Sequence, residues 1–266
     1  MNREAIRAQM PTLVKDFVPR NCRRFDYRIF DGQPMQSTLG FYIDPQPFAG
    51  KVVAMTDEAV IVKTEGKRNQ FAVLDRALVT PDPGAGAKIE VHPYARRRFD
   101  GLRADTPEEE THTLPDGTQY KTQSYVLGEA SARLPIPEPR CPELRELIEQ
   151  LETLPAPDGF RRITHLLVDA GACDFTWVDP APEDIIATPP AIAFTVSTAK
   201  FAGRVTVLYE RGMDVYAIEL CRDGEGVERA DCVYFDTLGP VLERLIDDGS
   251  WRRIRVQPLS GRSVRH

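Results

Sequence analysis

Three consecutive arginines, Arg96, Arg97 and Arg98, stand between Tyr94 and Phe99, with Arg103 shortly after. Guanidinium groups pair with phosphates and aromatic rings stack on bases, so this grouping suits contact with DNA or RNA. The competing reading is a solvated basic loop balanced by the nearby acidic run Glu108, Glu109 and Glu110. Two further basic clusters are Arg20, Arg23 and Arg24, and Arg252, Arg253 and Arg255 with Arg262 and Arg265 beyond them. They strengthen the nucleic-acid reading only if the fold brings them together.

Catalytic groupings are weaker. His165, Cys173 and Asp174 have the residue types of a thiol nucleophile with its base, which needs an imidazole within hydrogen-bond reach. If 160–172 is helical, His165 and Cys173 lie about 12 Å apart along it and cannot meet. A packed thiol is the better reading of Cys173. Carboxylates are numerous, among them Asp169, Asp174, Asp179, Glu183, Asp184 and Asp214. None has the spacing of a metal site. Asp236 and Asp158 are placed to cap the helices expected after them. Gly84-Ala-Gly86 lacks the following Lys-Ser/Thr of a phosphate loop and reads as a turn. No catalytic residue, metal or cofactor is assigned.

The bulk properties are those expected of a soluble globular protein. The 266 residues carry a formal charge of −6 and are 42% hydrophobic and 28% charged, as in ordinary globular chains. The acidic balance argues against a surface that is basic throughout. Five widely spaced cysteines without a CxxC pair fit reduced thiols rather than a disulfide or zinc framework. No secretory leader and no transmembrane run is read, so a cytoplasmic protein without membrane contact is expected.

Periodicity supplies the elements that must position these residues. Ile6, Met10, Leu13, Val14 and Phe17 have helical spacing, with a break expected at Pro11. Phe25 to Phe30 and Ser37 to Ile43 read as strands. Four strands follow from Gly50 to His92, with polar turns at Thr56-Asp-Glu58 and Glu65-Gly-Lys-Arg-Asn69. Their dense β-branched residues imply cover on both faces. Arg96 to Thr113 reads as an exposed excursion, Tyr120 to Leu127 as a strand, and Leu134-Pro-Ile-Pro-Glu-Pro139 as a linker. Pro142 to Glu152 is an amphipathic helix with Leu144, Leu147, Ile148 and Leu151 on one face. A second helix is expected over 160–172. Four strands between Ala191 and Phe235 with short connections predict an antiparallel meander, then a helix over 238–248 and a last strand over 251–256. The tryptophans Trp177 and Trp251 are expected in the core or at an interface, and most of the strand aromatics Phe194, Phe201, Tyr209, Tyr216, Tyr234 and Phe235 in the core.

The stretch from Phe48 to about Gly101 resembles the KfrB-type small β-barrel of plasmid and conjugative-element accessory proteins. The likeness rests on Phe48-Ala-Gly50-Lys-Val-Val, Asp57-Glu-Ala-Val-Ile-Val, Phe71-Ala-Val-Leu-Asp75 and Gly86-Ala-Lys-Ile-Glu-Val-His-Pro-Tyr94. It departs from the pattern in the Pro/Gly-rich loop before the fourth strand and in the arginine triplet after it. The resemblance implies an accessory role in a mobile element and supplies no catalytic residue.

The expectation is therefore an α+β protein. An N-terminal helix with an SH3-like or OB-like small β-barrel occupies 1–134, and an antiparallel sheet packed with helices occupies 135–266. The leading function is non-catalytic binding of DNA, RNA or a protein partner through the barrel and Tyr94, Arg96, Arg97, Arg98, Phe99 and Arg103. The alternatives are a protein-interaction module without nucleic-acid contact, and a metal-dependent hydrolase or nuclease.

Overall fold

A computed structural model describes residues 1–19, 22, 24–66, 69–124 and 132–259. The chain is mixed α and β with several sheets. Helix α1 (Arg3–Val14) leads to β1 (Asp26–Phe30), the two-residue strands β2 (Met35–Gln36) and β3 (Tyr42–Ile43), and then β4 (Phe48–Met55), β5 (Ala59–Thr64) and β6 (Gln70–Asp75). β7 (Val79–Thr80), β8 (Lys88–His92), β9 (Glu108–Thr113) and β10 (Gln119–Ser124) come next. Helices α2 (Pro142–Thr153) and α3 (Ile163–Asp169) precede β11 (Cys173–Val178), β12 (Ala191–Ser197), β13 (Ala202–Glu210), β14 (Val215–Arg222) and β15 (Glu225–Val233). Helix α4 (Leu238–Ile246) and β16 (Ile254–Pro258) finish the described chain.

Two compact units divide these elements. Unit 1 holds residues 1–39, 43–95 and 251–266, and unit 2 holds 40–42 and 96–250. The division expected between 134 and 135 is thus corrected. The Pro-rich stretch is no linker: Leu134 is buried, its amide donates to Glu152 Oε1 at 2.7 Å, and Ile136 packs on the unit 2 core. β16 belongs to unit 1 because Ile254 and Val256 enter that unit's core.

Unit 1 is built on a seven-stranded sheet in the order β1-β6-β5-β4-β8-β16-β7. Alternation along each strand feeds two cores. Ile61, Phe71 and Val73 point to the face covered by Ile6, Met10 and Val14 of α1. Val60, Val62, Ala72 and Leu74 point to the other face, where they join residues from Phe30 on β1 to Val79 on β7. Strand β4 bends as it passes from β8 to β5, with a bulge between Val52 and Ala54. Gly50 lies at that corner, where a Cβ would sit 2.6 Å from the Lys63 carbonyl oxygen. The sheet is nevertheless an open row, and no closed barrel forms among the described residues.

Helix α1 runs through Pro11, against the expected break. Pro11 and Arg7 are both exposed, so water can satisfy the carbonyl that proline leaves without a donor. The buried residues Ile6, Met10 and Val14 hold the helix in place. Asn2 Oδ1 caps it by accepting from the amides of Glu4 and Ala5.

In unit 2 the meander is extended by one strand, giving the order β11-β12-β13-β14-β15. The helix expected over 160–172 is shorter, since Cys173 opens β11. Helices α2, α3 and α4 supply Leu144, Leu147, Leu166 and Leu242 to one face of the sheet, against Phe194, Val205 and Ile218. Arg161 lies inside this unit at 1% exposure. Its guanidinium reaches Asp158 at 2.8 Å, Asp169 at 2.8 Å and Asp247 at 2.5 Å. It therefore ties the turn before α3, the end of α3 and the end of α4 together. Asp158 also accepts the amides of Phe160 and Arg161, so it caps that turn rather than α3. Asp236 does not cap α4. Thr237 Oγ1 instead accepts the Tyr234 amide. Strands β9 and β10 form a separate hairpin. The end of the strand expected over 120–127 lies outside the described residues, as do Arg20, Arg23, Arg262 and Arg265.

Candidate nucleic-acid interface

The arginine-aromatic stretch is engaged within the chain. Arg96 is 5% exposed, stacks over the Phe160 ring at 4.4 Å and donates to the Phe160 carbonyl at 3.2 Å. Arg98 pairs with Asp100 at 3.0 Å, and Arg103 holds both oxygens of Asp105 at 2.8 Å. Arg97 lies at the surface and donates to the Gly101 carbonyl. Phe99 meets Phe175 edge-on at 5.1 Å and packs on the unit 2 core, so its ring is not presented to a base. Tyr94 belongs to unit 1 and packs on Trp251 at 4.7 Å. Tyr94 and the arginine loop thus fall in different units, and two of the loop's four arginines have local acids while the other two donate to backbone carbonyls.

A different set of cations converges on the sheet of unit 1. On β8, Ile89 and Val91 point into the core, which turns Lys88, Glu90 and His92 to the opposite face. On β16, Ile254 and Val256 point inward and Arg255 outward. On β4, Val52 points inward and Lys51 outward. Lys51 stands directly opposite Lys88 across the β4–β8 ladder and opposite Lys63 across the β4–β5 ladder. Arg255 stands opposite His92 across the β8–β16 ladder. Lys51, Lys88, Arg253 and Arg255 are all exposed.

Like charges placed directly across a ladder repel, with side-chain bases only about 5 Å apart. Lys63 relieves part of this by donating its ammonium to the Phe17 carbonyl at 2.8 Å. Lys51 and Lys88 have no acid within ion-pair reach among the described residues, and neither do Arg253 and Arg255. The single acid of β8 on this face, Glu90, stands 3.6 Å from His92 Nε2. From Lys88 to the level of Arg255 is four residues of strand, or about 13 Å. A row of cations on that scale spans several phosphates of a polynucleotide.

The two units differ in charge overall. Unit 1 carries 18 Lys and Arg against 11 Asp and Glu, a net of +7. Unit 2 carries 16 against 29, a net of −13. The −6 of the chain is therefore the sum of opposite signs, and the acidic composition does not describe the sheet of unit 1.

His165 and Cys173 do not form a catalytic pair. Cys173 is exposed at the start of β11, with its thiol 3.5 Å from Asp174 Oδ2. Burial and that carboxylate push the thiol up, away from thiolate. His165 is 1% exposed, and its Nδ1 accepts the Arg162 amide at 3.0 Å. That bond places the ring proton on Nε2, which is buried without an acceptor. Burial, then the neighbouring Arg96, Arg161 and Arg162, holds His165 down at about 3, so the imidazole is neutral. Among the described residues, no three His, Cys, Asp or Glu side chains gather as a metal-binding group. No helix there is long and apolar enough to cross a membrane.

No protein-family model, no curated protein and no solved structure matches the chain.

Proposed function

We propose that the protein is a non-catalytic nucleic-acid-binding protein that grips the phosphate backbone through the outer face of β4, β8 and β16. The observation that carries this is the opposed pair Lys51 and Lys88, exposed and without a neutralising acid among the described residues. Facing lysines destabilise a bare ladder, and a phosphate lying over them removes the repulsion. Arg253 and Arg255 continue the same strip. The strip's exposed groups are lysine and arginine charges, which suits contact with the backbone rather than readout of base sequence.

This reading agrees with the likeness of residues 48–101 to KfrB-type barrels of plasmid and conjugative-element accessory proteins. The bend at Gly50, and an inner core fed from β1 through to β7, support a barrel-like ancestry for the open sheet. A cytoplasmic accessory role in a mobile element follows as part of the proposal. It shifts the contact surface from the arginine loop to the sheet.

The test is fluorescence anisotropy with labelled single- and double-stranded DNA and duplex RNA between about 50 and 200 mM salt. The Lys51→Ala/Lys88→Ala/Arg253→Ala/Arg255→Ala variant is expected to lower affinity more than tenfold at low salt. On duplex DNA it should flatten the salt dependence by about 0.9 of slope for each phosphate that the variant no longer neutralises. Arg97→Ala/Arg98→Ala should leave the slope unchanged. Absence of salt-sensitive binding, or equal binding by the fourfold variant, discards the proposal.

A further inference from the structure

We infer that one end of the five-stranded sheet of unit 2 is a docking surface for a partner protein, and that its occupant is a basic segment carrying large apolar side chains. The observation behind this is a gathering of exposed apolar residues that the core leaves out. Ile186 is 76% exposed, and Met213, Tyr234 and Phe235 are each 59% exposed. The last two are aromatics of strand-like sequence, for which a core position is the expectation. They lie just past Val233, the last residue of β15, in the turn that leads into α4.

Strand pairing places all of these residues at the same end. Val178, 40% exposed, closes β11 and pairs with Ala191 at the start of β12. Ile186 lies in the loop entering β12, next to Ile185, which is buried at 2%. Met213 lies in the turn between β13 and β14, where Glu210 pairs with Val215. Tyr216 pairs with Val233, which brings Tyr234 and Phe235 to the level of that turn. Single exposed apolar residues are ordinary on a protein surface, but several along one rim mark an interaction surface.

Charge identifies the occupant. Exposed acids accompany each apolar position: Glu183 and Asp184 before Ile186, Asp214 after Met213, and Asp236 after Phe235. The cations at this end are neutralised, Arg211 by Glu143 at 2.8 Å and Arg140 by Asp179 at 3.6 Å. Tyr209 records the field: its hydrogen bond to Asp214, then burial, with Glu146 and Glu143 nearby, push its hydroxyl up to about 12. A rim of this sign, on a unit of net charge −13, repels nucleic acid and favours Lys and Arg. Strand addition at the sheet edges is a poorer mode. β11 is irregular between Cys173 and Thr176, and the β14–β15 ladder shifts register twice. Docking is therefore through side chains on the end of the sheet.

The test is selection of short random displayed peptides on the full chain, followed by anisotropy with the enriched sequences. Enrichment should favour peptides with Lys or Arg around two or more large apolar residues. Their affinity should fall at least about tenfold for Ile186→Ser/Tyr234→Ser/Phe235→Ser, whose sites are exposed and should not disturb folding. Glu183→Gln/Asp184→Asn/Asp236→Asn should slow association and weaken its salt dependence. Circular dichroism shows whether each variant is folded. No enrichment, neutral or acidic winners, or winners indifferent to the apolar variant overturn the inference. So does a concentration-dependent dimer that the apolar variant abolishes, since the rim's occupant is then a second copy. None of these outcomes depends on whether unit 1 binds nucleic acid.

Discussion

The outer strip of unit 1 and the ion-paired positions of unit 2 hold arginine and lysine in different surroundings. In unit 2 many cations lie beside acids: Arg161 among three aspartates, Arg229 among Glu210, Glu219 and Asp231, Arg98 and Arg103 each with an aspartate two residues on. On the strip of β4, β8 and β16 in unit 1 the exposed cations have no such partner among the described residues, whereas Arg3 and Arg76 of the same unit pair with Asp31 and Asp82. Surface pairs contribute little to stability, whereas a buried charge stripped of its partner is expensive. The same residue types are thus ion-paired at some positions and exposed on a ladder face at others, and their density along the chain does not tell the two apart.

The largest expected effect tests the structural side of that contrast. Arg161→Leu leaves Asp158, Asp169 and Asp247 without their shared cation, and should lower unfolding free energy by about 3–5 kcal/mol in denaturant titration. Arg253→Ala, on the exposed strip, should stay within about 0.5 kcal/mol of the parent chain. Equal losses from the two would erase the distinction.

Acid titration gives the next effect. His165 stays neutral in the fold down to about 3, whereas in the unfolded chain it takes a proton at its ordinary value, near 6.5. Its folded value is the lower one, so the unfolded state binds the extra proton and stability falls as the pH drops below about 6.5. The fall is about 1.4 kcal/mol per pH unit until the folded value is reached. His165→Gln should flatten this slope between about pH 6 and 4.5, above the range where carboxylates dominate. An unchanged slope in Tm against pH would mean that another group governs acid sensitivity.

The smallest effect sharpens the ligand-binding side. Lys51→Glu puts an acid between Lys63 and Lys88 in place of a third ammonium. It should stabilise unit 1 by roughly 0.2–1 kcal/mol while weakening nucleic-acid binding. A variant that is more stable and binds less well is the signature of a surface kept for a ligand. Loss of both, or of neither, would show that the lysines have another role.

Local periodicity carried much of the fold. The stripe Leu144, Leu147 and Leu151 and the alternation from Ala191 to Val233 were legible because each element's pattern lies within its own residues. The open sheet, the division into units and the return of β16 were not. Val256 pairs with Val91 across a long stretch of sequence, and no local pattern encodes that partner. Composition misled at 134–139, where the prolines look like a linker but Leu134 and Ile136 are packed. The candidate interface was hidden for the same reason as the sheet order: Lys51 and Lys88 are isolated in sequence, and they meet each other and the cluster of Arg252, Arg253 and Arg255 only through strand pairing. The engagement of Arg98 and Arg103 was the more readable part, since Asp100 and Asp105 each follow two residues later.

The return of β16 also orders events during synthesis. All of unit 2 between Arg96 and Ser250 leaves the ribosome before Ile254 does. Until then β8 lacks its neighbour on one side and β7 lacks its only partner in the sheet. The acidic unit can therefore fold while its basic counterpart waits. Arg253 and Arg255 arrive with the missing strand, so a nascent chain completes the strip proposed to grip phosphates only at this late stage.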